Sequence, residues 1–326
     1  MVELRCWVLT EGHVGMVNQA VGLAEAMGLA PEIKRLAVRA PWKHLPPRLW
    51  IRALDAPGPG GDRLEPPWPD LVISCGKRSV APALAIRRTS RGRTFAVHIQ
   101  TPPVDPRRFD LVVAPAHDGL AGPNVFVTQA AVHRVTPARL EAAAARFALS
   151  LSHLPRPLIA VLIGGSNGRH RLTPDIMARV AEQLAALSRI QGVGLAVTPS
   201  RRTGAENEGI LRDRLAGASA VIWDGQGENP YFGYLGLADA VVVTADSVSM
   251  VSEAISTGKP VYVVDLPGAS RRIDRFHASL REGGMTRRFE GRLENWRYEP
   301  PDDTARAAAE VWRLLRARSD VAAGLR

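Results

Sequence analysis

Short apolar runs of β type alternate with amphipathic helical stretches along the whole chain, a pattern that calls for parallel sheets covered by helices. In the front half strands are expected at Leu4–Leu9, Ile33–Val38, Leu71–Ser74, Thr94–Ile99, Leu111–Ala114 and Val125–Val127. Helices are expected at about Met16–Met27, Val80–Arg88 and Pro137–Leu149, the last opened by Thr136 as N-cap with Pro137 in its first turn. Leu154-Pro155-Arg156-Pro157 cannot continue a helix and reads as a linker.

The same grammar restarts after it. Strands are expected at Leu158–Ile163, Gly194–Thr198, Ala220–Trp223, Ala240–Thr244 and Val261–Val264, with helices at Pro174–Leu187, near Asp213, and at Val248–Ser256 and Asp274–Glu282. The expected architecture is α/β: two Rossmann-like parallel-sheet domains, 1–153 and 157–300, facing a central cleft at the carboxyl ends of their strands. A last amphipathic helix at about 303–318 is expected to pack back on the first domain.

Of 326 residues, 46% are hydrophobic and 23% charged, which excludes a disordered chain. Apolar runs such as Leu158–Ile163 fall far short of the ~20 residues that cross a bilayer, and Glu3 and Arg5 interrupt any signal-peptide core. Cys6 and Cys75 are the only cysteines and sit in β-type runs, so a reducing cytoplasm is the expected compartment. Residues 1–150 carry 19 Lys and Arg against 12 Asp and Glu, and the remainder 23 against 20, so the front half is the expected site for an anionic surface or substrate. No basic run is interleaved with stacking aromatics, so no nucleic-acid partner is expected.

Several chemistries are excluded by motif. The turn Gly12-His13-Val14-Gly15 lacks the G-x-G-x-x-G dinucleotide fingerprint, and no tyrosine has lysine four residues on. Ser256-Thr257-Gly258-Lys259-Pro260 resembles a P-loop fragment but reads as an αβ turn with Gly258 closing the helix. The eight histidines show no ligand spacing and no Asp-x-Asp occurs, so neither a metal nor a cofactor is expected.

Three loops at strand carboxyl ends of the back half carry phosphate-compatible chemistry. Gly164-Gly165-Ser166-Asn167 offers backbone amides to an anion. Ser200-Arg201-Arg202-Thr203 offers two arginines for a diphosphate. Thr244-Ala245-Asp246-Ser247-Val248-Ser249-Met250 opens a helix whose N-terminus attracts phosphate, with Asp246 or Ser247 as cap and Glu253 placed for a ribose diol.

Val242–Val264 resembles the nucleotide-sugar donor segment of GT-B glycosyltransferases. The whole chain resembles the plant mitochondrial-fission factor family, whose defect elongates mitochondria, and its bacterial relatives. The resemblance is carried by Gly15, Asn18-Gln19, Gly76-Lys77-Arg78, His117-Asp118, Gly164-Gly165, Ser200–Thr203, Asn229-Pro230-Tyr231, Asp246–Met250 with Glu253, Thr257–Pro260 and Phe276-His277. It implies a GT-B fold and cytoplasmic exposure; Asn229 and Tyr231 are expected beside the donor, and Gly12, Gly15, Asn18, Gln19, Gly76, Lys77, Arg78 and Gln100 around the acceptor or the cleft. Family members commonly carry Asp-Gly-x-x-Gly-His near the start, whereas this chain has Glu11-Gly12-His13-Val14-Gly15-Met16, which displaces the histidine.

Three functions follow as expectations. The first is metal-independent glycosyl transfer from a nucleotide diphosphate-sugar, with Glu11 or His13 as base and Asp118 in reserve. The second is a non-catalytic GT-B-fold adaptor in membrane or envelope organisation. The third is a non-oxidative sugar-nucleotide epimerase. Arg39–Arg52 interleaves Trp42 and Trp50 with Lys43, Arg48 and Arg52; these five are expected to contact an anionic inner-membrane surface bearing a lipid-linked acceptor. The competing reading packs both tryptophans onto the first domain.

Overall fold

The computed structural model describes residues 4–268 and 270–324; Glu3, cited above, lies outside them. In chain order the elements are β1 (Cys6–Thr10), α1 (Val14–Ala26), β2 (Glu32–Arg35), β3 (Leu71–Cys75), α2 (Val80–Thr89), β4 (Phe95–Ile99), β5 (Leu111–Pro115), β6 (Val125–Thr128), α3 (Pro137–Phe147), β7 (Leu158–Ile163), α4 (Pro174–Gln191), β8 (Gly194–Pro199), α5 (Ala205–Leu215), β9 (Ala220–Ile222), α6 (Tyr231–Leu237), β10 (Ala240–Thr244), α7 (Val248–Ile255), β11 (Val261–Val264), α8 (Arg271–Glu282), β12 (Thr286–Arg288) and α9 (Asp303–Gly324).

The chain forms two compact units, one of Met1–Arg134 with Asp302–Arg326 and one of Val135–Pro301. The first unit holds a parallel sheet in the order β2-β1-β3-β4-β5-β6. Alternation along each strand sorts its two faces: Cys6, Val8, Ile73 and Val97 pack with α1 and α9 residues such as Leu23 and Val311, whereas Trp7, Leu9, Val72 and Ala96 pack with Val80, Ala83 and Ile86 of α2. The terminal helix α9 therefore completes the first unit. Asp303 fixes its start by accepting from the Ala130 N–H at 2.8 Å.

The second unit holds a parallel sheet in the order β12-β11-β10-β7-β8-β9. Ile159, Val161, Leu195, Val197 and Val242 pack against Met177, Leu184 and Leu211 of α4 and α5.

The division between units falls at Arg134, ahead of the Leu154–Pro157 linker expected from sequence. The cause is α3, which packs on α6: a Cβ on Gly236 would lie 2.5 Å from the Leu140 carbonyl oxygen, and one on Gly233 2.4 Å from Phe147. Helix α6 and strand β12 were not foreseen. Tyr231–Leu237 is seven mostly apolar residues with two glycines, too short to show a helical period.

In each sheet the chain runs outward from one strand and then crosses to its other side, so β1/β3 and β7/β10 are the switch points where open α/β sheets bind ligands.

Candidate functional site

At the β7/β10 switch point the loops after β7, β8 and β10 converge on one carboxylate. Asp246 is fully enclosed and takes hydrogen bonds from Thr244 Oγ1 at 2.6 Å and the Gly165 N–H at 3.1 Å, with Arg202 Nη2 at 2.8 Å. Thr244 Oγ1 also accepts from the Gly164 N–H at 2.8 Å, and Asn167 Nδ2 donates to the Asp246 carbonyl at 3.2 Å. A buried carboxylate is tolerated only when it is paired and hydrogen-bonded in this way.

This network corrects two expectations. The amides of Gly164 and Gly165 are spent inside the protein and are not offered to an anion. The two glycines serve close packing instead: a Cβ on Gly164 would stand 2.2 Å from Asp246 Oδ1, and one on Gly165 1.9 Å from the Arg202 carbonyl oxygen. Arg202 is the cation of the ion pair, so the expected two-arginine fork reduces to Arg201, an exposed side chain for which no ion pair is found among the described residues.

The β8 loop is fixed by its hydroxyls. Thr203 Oγ1 donates to the Gly164 carbonyl at 2.6 Å and accepts from the Ser200 N–H at 2.9 Å, while Ser200 Oγ donates to the same carbonyl at 2.9 Å. Ser166 is tied within its own loop, accepting from the Leu172 N–H at 3.0 Å.

Ser247 is the N-cap of α7, accepting from the Met250 N–H at 3.3 Å, so Val248 and Ser249 open the helix beside this edge. One and a half turns on, the buried Glu253 accepts from Tyr231 Oη at 2.5 Å. Burial, then the Glu253 charge and hydrogen bond, hold the Tyr231 phenol well above its ordinary range, so it remains the donor. Asn229 is exposed and accepts from the Tyr231 N–H at 3.0 Å, which fixes the turn at the start of α6. Two histidines back the edge. His277 Nε2 donates to the Ala245 carbonyl at 2.9 Å, and burial lowers the pKa of both His277 and His170.

The β1/β3 switch point gathers the front-half candidates. Glu11, after β1, accepts from Arg78 Nη1 at 2.7 Å across to the turn after β3. Gly76 begins that turn at φ +94°, a conformation open to glycine, and carries Lys77 and Arg78. Gly12 turns the chain at φ +84°, and His13 is the exposed N-cap residue of α1 with no side-chain cap bond. Gly15 and Asn18 follow on α1, and the buried Gln19 accepts from Gln100 Nε2 at 3.3 Å. Asp118, after β5, accepts from Thr101 Oγ1 at 2.8 Å with His117 Nε2 3.5 Å away.

The tryptophan segment is corrected in part. Trp50 is buried against Ala53, Ala81 and Ala85, its indole N–H donating to the Leu45 carbonyl at 3.0 Å. Trp42 donates to the Ile51 carbonyl at 2.9 Å and stacks with Arg39. The two indole N–H bonds brace the segment, and the large apolar side chains it exposes are Leu45, Leu49 and Ile51.

A model of the family described as mitochondrial fission ELM1 matches residues 14–315. The chain belongs to that family. Mitochondrial fission protein ELM1 of Arabidopsis thaliana is 36% identical over 277 residues, covering 77% of this chain and 65% of the plant protein, less than two thirds of its length. UDP-GlcNAc 2-epimerase of Methanocaldococcus jannaschii has a similar structure at 13% identity, with a TM-score of 0.58 over 96% of this chain and 99% of that one. Os79 of O. sativa, solved in complex with UDP, gives 0.51 at 11% identity over 97% and 92%. The ELM1-family chain thus has a GT-B-like fold of two six-stranded parallel sheets flanked by helices.

Proposed function

We propose that this ELM1-family chain is a nucleotide-sugar-dependent glycosyltransferase of GT-B type, with the donor held by the second unit and the acceptor by the first. The observation that carries the reading is the β7/β10 switch point, where the Arg202–Asp246 pair anchors the β8 loop to the start of α7 and leaves the adjacent Arg201 without an ion-pair partner among the described residues. An arginine and a helix N-terminus together are suited to a leaving diphosphate. The fold's occurrence in a UDP-GlcNAc epimerase and in a UDP complex supports a uridine nucleotide as the first donor to try.

In this reading Arg201 and the α7 amides neutralise charge that grows on the diphosphate as the glycosidic bond breaks. No metal is assigned to the step. Glu253 would accept the ribose hydroxyls, and Tyr231 must then yield or share its hydrogen bond. The acceptor hydroxyl would lose its proton to Glu11, His13 or Asp118.

A second reading, the non-catalytic adaptor, is favoured by one observation. Glu11 is ion-paired with Arg78 and Asp118 holds Thr101, so both carboxylates are engaged. Incubation with a panel of UDP-, GDP- and CMP-sugars distinguishes the readings. Release of nucleoside diphosphate that falls sharply in Arg201→Ala supports transfer, binding without turnover supports the adaptor, and a changed but untransferred sugar supports epimerisation. Failure to bind any nucleotide overturns the donor site itself.

A further inference from the structure

The chain makes nearly all of its positive charge with arginine: of 42 basic residues only Lys34, Lys43, Lys77 and Lys259 are lysines. Two of the four have structural duties. Lys34 pairs with Glu32 at 2.5 Å over the Trp7 ring, and Lys259 donates to the Leu235 and Gly236 carbonyls at 2.6 and 2.8 Å. The other two, Lys43 and Lys77, come from segments 34 positions apart and line one cavity of about 410 Å³ in the first unit, together with His44, Arg78 and Glu11. Neither has an ion-pair partner among the described residues.

The cavity is built rather than incidental. Its floor is the β1/β3 switch point, where Glu11 fixes Arg78 and Gly76 takes φ +94° to bring Lys77 over the strand end. A Cβ at Gly76 would lie 2.6 Å from Met16 Sδ, so the turn is seated on α1. Its wall is the short helical turn Trp42–His44 with Pro46 and Pro47. That wall is held by the two indole N–H bonds to Leu45 and Ile51 and by Trp50 packing on α2. Three basic side chains, Lys43, Lys77 and Arg78, face the one carboxylate of Glu11, and that excess matches a doubly charged anion.

We propose that this cavity binds a phosphate monoester carried by the acceptor substrate; the word acceptor rests on the transferase reading above, whereas the phosphate site does not. Lysine ammonium groups are compact point charges suited to phosphate oxygens, and Arg78 keeps further N–H donors beyond the one given to Glu11. The prolines supply an apolar side against which the rest of the ligand rests. The same group is presented by a soluble sugar phosphate and by a phosphatidic acid headgroup.

The test titrates the full chain with inorganic phosphate and with glycerol 3-phosphate by calorimetry at constant ionic strength. Both are expected to bind saturably and competitively. The double variant Lys43→Gln with Lys77→Gln should weaken binding by about tenfold or more, while Arg48→Gln with Arg52→Gln, which removes equal charge from the segment that carries Lys43, should leave it unchanged. Unchanged near-ultraviolet circular dichroism verifies the fold of each variant. Sedimentation with phosphatidylcholine vesicles containing phosphatidic acid separates the sources. Recruitment that phosphate competes away and the lysine variant abolishes assigns a lipid phosphate, and soluble binding without recruitment assigns a free one. Absence of saturable phosphate binding, or equal weakening in both double variants, overturns the proposal. Nucleotide binding is read separately through Arg201→Ala, so either site can fail while the other stands.

Discussion

Arg202 Nη2 stands 2.8 Å from Asp246 Oδ2, and this ion pair joins the loop after β8 to the loop after β10 across the end of β7. The aspartate is fully enclosed while the arginine is 40% exposed, so the pair is an internal strut with one wet end. It explains why a segment dense in polar residues, Thr244 to Ser249, sits between two apolar elements. Much of that polarity satisfies itself.

Removing the strut is costly. Asp246→Ala leaves Thr244 Oγ1, the Gly165 N–H and the Arg202 guanidinium without their shared acceptor. The expected loss is about 3 kcal/mol for the second unit, read by urea unfolding, and a loss below about 1 kcal/mol contradicts the account of the network.

Glycine positions separate packing from permissiveness. Gly165→Ala drives a Cβ into the Arg202 carbonyl, whereas Gly168→Ala meets nothing within 4 Å. The first should destabilise by about 2 kcal/mol or more and the second by less than about 0.5 kcal/mol, both measured by thermal and urea unfolding.

His98 should contribute to acid sensitivity alongside the buried His170 and His277. Burial pushes the His98 pKa down from 6.5 to about 3; the ring is hydrogen-bonded through Nδ1 to Ser74 Oγ at 2.8 Å and stacks on Phe109. Between those values the unfolded chain binds a proton that the folded chain refuses, so stability falls as pH drops from 6.5 toward 3. The slope attributable to this residue approaches about 1.4 kcal/mol per pH unit. His98→Gln should flatten the stability profile between pH 6 and pH 4; an unchanged profile assigns acid sensitivity elsewhere.

The tryptophan segment predicts a dissociation of stability from surface behaviour. Trp50→Ala empties a buried site and should cost about 3 kcal/mol, whereas Ile51→Ser, at a side chain 80% exposed, should cost less than about 0.5 kcal/mol. Loss of vesicle binding in a Trp50 variant therefore has to be read beside its unfolding curve.

The strands were legible as short continuous apolar runs, because helices cover both faces of each sheet and every residue of a strand such as Cys6–Leu9 is buried, and most helices were legible from their helical period. Ser247 as N-cap and Gly258 at φ +70° were legible from local chemistry. The fates of Arg201 and Arg202 were not, because adjacent identical residues carry no signal of which will meet a buried carboxylate 44 positions later. Nor was the convergence of Lys43 with Lys77, which depends on how the Trp42–Asp55 turns fold onto α2. The scarcity of lysine in an arginine-rich chain was the one available hint.

The central claim is that the second unit binds a nucleoside diphosphate at the start of α7 beside Arg201. Calorimetric titration with UDP, GDP and CDP tests it, with Arg201→Ala and Arg202→Ala in parallel. The account predicts saturable binding of one of the three, weakened by about tenfold in Arg201→Ala without loss of stability, because an exposed, unpaired arginine contributes to the ligand alone. Arg202→Ala should instead lower the unfolding midpoint. Absence of binding by all three nucleotides, or an affinity indifferent to Arg201, would contradict it.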